Sequence, residues 1–291
     1  KIHVDIDPSS VNKIVPVDIA VIGDAGRAIE MMIEAWDADP AQPDGEALAG
    51  WWRQIDAWRG IDSLRYQQDP SPDAIIKPQH AIRRLRELAA ETGRDTFITT
   101  EVGQHQMWAA QHCSFDKPNR WMTSGGLGTM GYGLPAAVGT QVGNPDALVI
   151  DIAGEASTLM NIQELGTICQ YRLPVKLFIL NNRYMGMVRQ WQELLHGSRY
   201  SESYSDALPD FVKLAESFHG TGMRATRLDE LDDVIRAMLA HDGPVIADIC
   251  VDERENVFPM IPSGAAHNEM ILGPDQNDRA ARITNEGLML V

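Results

Sequence analysis

The sequence predicts an α/β protein: a parallel sheet with helices on both faces. Three observations predict it. From about residue 75 onward, short apolar runs alternate with longer amphipathic ones, the pattern of strands joined by crossover helices. The run Ala147-Leu148-Val149-Ile150 is apolar throughout, as a strand buried on both faces should be. Glycine, acidic and amide residues gather just beyond these runs, where an open parallel sheet binds ligands.

Taken in order, Lys1 to about Ala25 reads as a strand, a loop and a second apolar stretch, Val17 to Ile22. Asp24 is placed to cap a helix whose Ala28, Met31, Met32, Ala35 and Trp36 share one face. Pro40, Pro43 and Gly45 interrupt any helix and mark a linker, followed by a Trp-rich helix from Glu46 to Ile61. Asp69-Pro70-Ser71-Pro72-Asp73 is a second linker. Helices are then expected over 79–92, 131–142, 157–171, 187–195, 210–218 and 228–241. Strands are expected over 96–100, 147–152, 175–180, 222–227 and 244–251.

The bulk properties narrow the function classes. A length of 291 residues suggests about two domains at roughly 100–200 residues each, or one large one. A net charge of −16 argues against nucleic acid, whose phosphates are neutralised by Lys and Arg. No apolar run approaches the ~18 residues of a membrane span, and no signal peptide is visible. Three separated cysteines, Cys113, Cys169 and Cys250, fit buried thiols in a reducing compartment. The expectation is a cytoplasmic, bacterial protein. The opening Lys1-Ile2-His3-Val4 reads as a strand under way with no initiator Met, so the chain is expected to be a fragment or a trimmed form.

Four constellations carry chemistry. Glu155 in Gly154-Glu155-Ala156-Ser157 and Asn182 in Asn181-Asn182 each follow an apolar run. At the ends of neighbouring strands, their oxygens suit Mg²⁺ or Ca²⁺, with phosphates and water completing the shell. The helix starting at Ala156 and Ser157 would favour phosphate at its free amides. An ordinary turn and a helix cap explain the same residues. Ser124 to Pro135 is a glycine-rich loop, with no Gly-Lys-Ser/Thr of a Walker loop and no strand expected just before it. It is either a cofactor cradle or a flexible turn. Thr99 to Trp108 brings Gln104 and His105 to the same sheet edge. Met187 and Trp191 share a helical face directly after the Asn pair, either packing in the core or lining a pocket.

Together, the stretches 102–111, 125–137, 154–182, 186–192 and 259–268 resemble the acetolactate synthase (acetohydroxyacid synthase) large-subunit family, in its C-terminal part. The resemblance covers nearly the whole chain. The glycine, acid and Asn-pair motif is common to thiamine-diphosphate enzymes. Gln104-His105-Gln106-Met107-Trp108 and Met187-Val188-Arg189-Gln190-Trp191-Gln192 are more specific to the synthase. The resemblance implies a transferase that condenses two pyruvates, or pyruvate and 2-ketobutyrate, with loss of CO₂, in branched-chain amino-acid biosynthesis. Its implied cofactors are thiamine diphosphate, Mg²⁺ and FAD, with FAD structural.

The resemblance also implies site residues. Glu155, Asn182 and the Tyr184 carbonyl would hold Mg²⁺. Gln104, His105, Gly128, Met130, Gly154, Ala156, Ser157 and Met187 would bind thiamine diphosphate. Met187 and Trp191 would face the substrate, and Asp5, Asp7 and Asp24 would lie at FAD. The implied domains are 1–42, the end of the FAD-binding-type domain; 43–74, a linker with a helix; 75–255, the thiamine-diphosphate domain; and 256–291, a tail. The partners implied are 2-keto acids, further copies in a dimer or tetramer, and a regulatory small subunit.

Two departures stand out. The family's usual aspartate is Glu155 here. The family's N-terminal pyrimidine-binding domain, whose glutamate activates the cofactor across a subunit interface, is expected to lie outside this chain. No catalytic residue is therefore expected in this chain, which is expected to be inactive alone. The alternatives are another pyruvate-handling thiamine-diphosphate enzyme (a carboligase, an oxidase or a sulfoacetaldehyde acetyltransferase) and a non-catalytic cofactor-binding module.

Overall fold

The computed structural model describes residues 1–41, 44–60 and 64–273. The predicted helix end at Ile61, the linker residues Gln42 and Pro43, and tail residues 274–291 lie outside the described residues. The chain divides into two compact units, Lys1–Asp62 and Ser63–Val291, so the linker at 69–73 falls in the second.

In the first unit, strands β1 (Ile2–Asp5) and β2 (Ile19–Ile22) pair in parallel, Ile2 opposite Ile19. Helix α1 (Ala25–Ala38) starts where the Asp24 carboxylate accepts the Arg27 amide. Helix α2 (Gly45–Arg59) starts on Asp44, which accepts the amides of Glu46 and Ala47. In each case an aspartate satisfies amides that a helix start leaves unpaired.

The second unit holds α3 (Pro78–Glu91), β3 (Thr96–Thr100), α4 (Gln104–His112), β4 (Trp121–Met122), α5 (Gly133–Gly143), β5 (Leu148–Gly154) and α6 (Glu155–Thr158). It continues with α7 (Glu164–Gln170), β6 (Lys176–Asn181), α8 (Gly186–Leu194), α9 (Phe211–Ser217), β7 (Thr221–Ala225), α10 (Leu228–Ala240) and β8 (Val245–Cys250). The strands form one parallel sheet in the order β4-β3-β5-β6-β8-β7. Every residue of β5 is buried, because alternate side chains enter two separate cores. Ile150 and Ile152 pack with Ala81, Ile82 and Leu85 of α3 and Ile235 of α10. Val149 and Ala153 pack with Leu134 of α5, Ile168 of α7 and Phe211 of α9. Each fully buried Leu or Ile contributes about 1.5–3 kcal/mol.

Three elements differ from expectation. Helix α4 begins directly at Gln104, although its apolar residues form no clean stripe and it has no side-chain cap. Strand β4 precedes the glycine-rich loop, where none was expected; it is two residues long at the sheet edge. The helix expected over 157–171 breaks into α6, a 3₁₀ turn at Leu159–Asn161 and α7. Ser157 and Thr158 hydroxyls both donate back to the Gly154 carbonyl, which competes with a regular helix. The cysteines are free but half-buried rather than buried. Among the described residues, no helix is long and apolar enough to cross a membrane.

The strand order sets the site. Beyond β3 the chain departs toward β4, and beyond β5 it departs the other way, toward β6. A crevice opens where such connections diverge.

Candidate cofactor site

A cavity of about 190 Å³ lies at this divergence, lined by residues 102–108 after β3, 154–157 after β5, and Leu180, Asn182 and 184–188 around the end of β6, with Met130. The register puts the contributing strand ends side by side: Thr100 opposite Ile152, and Gly154 opposite Leu180.

Glu155 is 1% exposed and its Oε1 has no hydrogen-bond partner. Burial pushes its carboxyl up to about 8, with the Asp248 carboxylate adding to the shift. Hydrogen bonds from the main chain at Glu155, Tyr184 and Asn182 offset it only in part. A buried, unpaired carboxylate stays neutral or meets a cation. Nearby, Asn182 Oδ1 accepts the Tyr184 amide at 3.1 Å, and Asn182 Nδ2 donates to Gln104 Oε1 at 3.1 Å. Among the described residues, no three His, Cys, Asp or Glu cluster in a way that could hold a metal. A cation here would take one carboxylate, an amide oxygen and a main-chain carbonyl. That hard-oxygen set fits Mg²⁺, with phosphate oxygens and water filling the rest.

Gln104 is a hub. Besides receiving Asn182, its Nε2 donates to Gln190 Oε1 at 2.9 Å and to the Glu255 carbonyl at 3.1 Å. Its side chain thus links Asn182 to Gln190 and to the main chain at Glu255. His105 lines the cavity with Nε2 unpartnered. Burial depresses its pKa to about 3, against a hydrogen bond to the Glu101 main chain, so the ring is neutral. A Cβ on Gly154 would meet His105 Nδ1 at 2.8 Å, and one on Gly186 would meet Gln104 Oε1 at 2.0 Å. Both positions require glycine for the main chain to approach so closely.

The glycine-rich loop is held from below. The Glu101 carboxylate accepts the amides of Gly131 at 2.6 Å and Leu134 at 3.1 Å. Gly131 has φ +89°, a left-handed conformation natural to glycine. This anchoring brings Met130 into the cavity wall.

Of the residues singled out in the sequence, Gln104, His105, Met130, Gly154, Glu155, Ala156, Ser157, Asn182, Tyr184 and Met187 line one cavity. Gly128 and Trp191 do not line it; Trp191 lies one turn beyond Met187 on α8 and is 44% exposed. Asp5, Asp7 and Asp24 are in the first unit. Asp7 caps a 3₁₀ turn, Asp24 caps α1, and Asp5 accepts the Asp7 amide. Sequence reasoning missed Glu101, Gly186 and Gln190. Gly186 was detectable as the first glycine after the Asn pair, four residues beyond Asn182; the other two act through contacts that no spacing signals.

Residues 101–249 match the family described as "Thiamine pyrophosphate enzyme, C-terminal TPP binding domain". The chain belongs to the thiamine pyrophosphate enzymes. The matched span takes in all of the cavity lining, from Val102 to Val188, and the six-stranded parallel sheet is the family's α/β fold. Among curated thiamine pyrophosphate enzymes, the chain is 43% identical over 274 residues to the "Acetolactate synthase isozyme 3 large subunit" of Escherichia coli, covering 93% of the chain and 47% of that protein. It is 40% identical over 278 residues to the "Acetolactate synthase large subunit" of Haemophilus influenzae, covering 95% and 47%. It is 43% identical over 270 residues to the "Acetolactate synthase catalytic subunit, mitochondrial" of Saccharomyces cerevisiae, covering 93% and 38%. The chain thus spans about half the length of these relatives or less.

Proposed function

We propose that the cavity binds thiamine diphosphate through Mg²⁺ and that the chain is the cofactor-anchoring part of an acetolactate synthase. One observation carries the reading: a buried carboxylate with an unpaired oxygen, Glu155, beside the Asn182 amide oxygen, in a cleft that glycines keep open. The names of the relatives support the synthase over a carboligase or an oxidase.

When bound, thiamine diphosphate supplies the nucleophilic carbon that decarboxylates one 2-keto acid and passes the two-carbon unit to another. The chain's own residues hold and orient. Glu155, Asn182 Oδ1 and the Tyr184 carbonyl take the cation. The main chain at Ala156 and Ser157 and the neutral His105 ring take the diphosphate end. Met130 and Met187 give the cavity apolar walls. Trp191, beyond the cavity, faces the acceptor keto acid, pyruvate or 2-ketobutyrate. In the same reading, residues 1–42 end an FAD-binding-type domain, 43–74 link it to the cofactor domain at 75–255, and 256–291 form a tail. The working enzyme is a homo-oligomer, served by a regulatory small subunit.

Among the described residues, Glu155 is the only carboxylate lining the cavity, and the cation takes it. The acid that activates the cofactor therefore comes from elsewhere, and the chain alone anchors cofactor without turning over substrate. Calorimetry should show thiamine diphosphate binding that requires Mg²⁺, with no acetolactate formed from pyruvate. Absence of binding would overturn the cofactor reading. Acetolactate from the chain alone would overturn the claim of an external acid.

A further inference from the structure

The Asn pair at the end of β6 does more than supply one oxygen. Asn181 Oδ1 accepts the Arg183 amide at 3.2 Å, and Asn182 Oδ1 accepts the Tyr184 amide at 3.1 Å. Two consecutive side chains thus each close a turn on the amide two residues ahead. Between them Arg183 sits at φ +61°, a left-handed conformation that a non-glycine residue adopts at a cost. A strained turn of this kind persists only where its surroundings hold it.

The two amide nitrogens hold it from opposite sides. Asn182 Nδ2 reaches Gln104 on α4, within the cavity wall. Asn181 Nδ2 reaches away from the cavity, donating to Asp248 Oδ1 on β8 at 2.9 Å. Asp248 is 1% exposed, and the function proposed above gives it no part. Its other oxygen accepts Arg224 Nε on β7 at 2.9 Å, and Arg224 Nη2 continues to Asp210 at 2.8 Å. A carboxylate inside a sheet is costly to bury, and packing alone would be served as well by an apolar residue. Arg224 offsets its charge and leaves Oδ1 aimed at Asn181.

We propose that Asp248, steadied by Arg224, is a positioning residue for the cation site: through Asn181 it fixes the turn that presents Asn182 Oδ1 and the Tyr184 carbonyl. The inference rests on the cofactor reading above for its purpose, but the clamp on the turn stands on its own geometry. Asn at 181 is then required both as acceptor for Arg183 and as donor to Asp248. An aspartate there would face Asp248 with a second charge.

Two measurements on the full chain test it. Hydrogen exchange on the metal-free protein should show the amides of residues 183–185 exchanging faster in Asp248→Asn and Asn181→Asp, with the other strands unchanged. Thiamine diphosphate binding titrated with Mg²⁺ should need about tenfold more Mg²⁺ in either variant, the range typical when a partner behind a metal ligand is lost. The double variant Asn181→Asp/Asp248→Asn restores one donor and one acceptor and should return both readouts most of the way to wild type. Unchanged exchange at 183–185, or an Mg²⁺ requirement that does not move while thermal stability falls, would overturn the proposal. Arg224→Gln, at a partly exposed site, serves if the single variants do not fold; an unaltered Mg²⁺ requirement there would overturn it equally. Wild-type protein that fails to bind thiamine diphosphate with Mg²⁺ would sink the cofactor reading and leave the exchange result to judge the clamp.

Discussion

Replacing Glu155 with glutamine should make the metal-free protein more stable above neutral pH while removing its capacity for the cation. The carboxyl holds its proton to about pH 8 when folded, chiefly because it is buried, against an ordinary value of 4.5 in the unfolded chain. Between those values the folded state binds more protons than the unfolded state, so stability falls as pH rises through the interval. The slope is about 1.4 kcal/mol per pH unit, and the whole interval costs at most about 5 kcal/mol. Glutamine has nearly the same shape and no proton to lose, so Glu155→Gln is free of this cost. Urea unfolding of both proteins from pH 5 to pH 8.5, without metal, gives the comparison. The stability difference should be under about 1 kcal/mol at pH 5 and grow to about 4 kcal/mol in favour of the variant at pH 8. Added Mg²⁺ and thiamine diphosphate should reverse the order, because only the wild type can use its charge. Parallel stability curves would refute the claim that Glu155 is a buried carboxylate awaiting a cation.

Other outcomes follow from the same geometry. Gly186→Ala drives a methyl to 2.0 Å from Gln104 Oε1; it should cost about 1–3 kcal/mol in urea unfolding and abolish Mg²⁺-dependent cofactor binding in calorimetry. His105 stays neutral down to about pH 3, so His105→Gln should leave the shape of the binding pH profile between 5 and 7 unchanged. Trp191→Ala removes a half-exposed side chain outside the cavity. It should alter stability by less than about 1 kcal/mol and leave cofactor affinity at the wild-type value.

Much of this arrangement was legible in the sequence, because the strongest signals are local. The fully apolar run at 147–150 identified a central strand, and strand β3 fell on Thr96–Thr100 as expected. Residues following strand ends were then natural candidates, and those after β3, β5 and β6 do converge on one cavity. Less legible were features that depend on partners distant in the chain. Helix α4 has no stripe, since Gln104 and His105 face the cavity, Ala109 faces the core and Trp108 borders both. Asp248 read as an ordinary residue of an apolar strand; its link to Asn181 spans 67 residues. Gln104 was expected at the diphosphate; its side-chain bonds to Asn182, Gln190 and Glu255 are contacts that no spacing signals.

The central claim is that Glu155, Asn182 and Tyr184 together hold the cation that anchors the cofactor. Crystals grown with thiamine diphosphate and Mn²⁺ in place of Mg²⁺ would test it by anomalous scattering. The account predicts a single strong peak within bonding distance of the Glu155 carboxylate, Asn182 Oδ1 and the Tyr184 carbonyl. A bound cofactor with no peak there, or a peak on other residues, would contradict it.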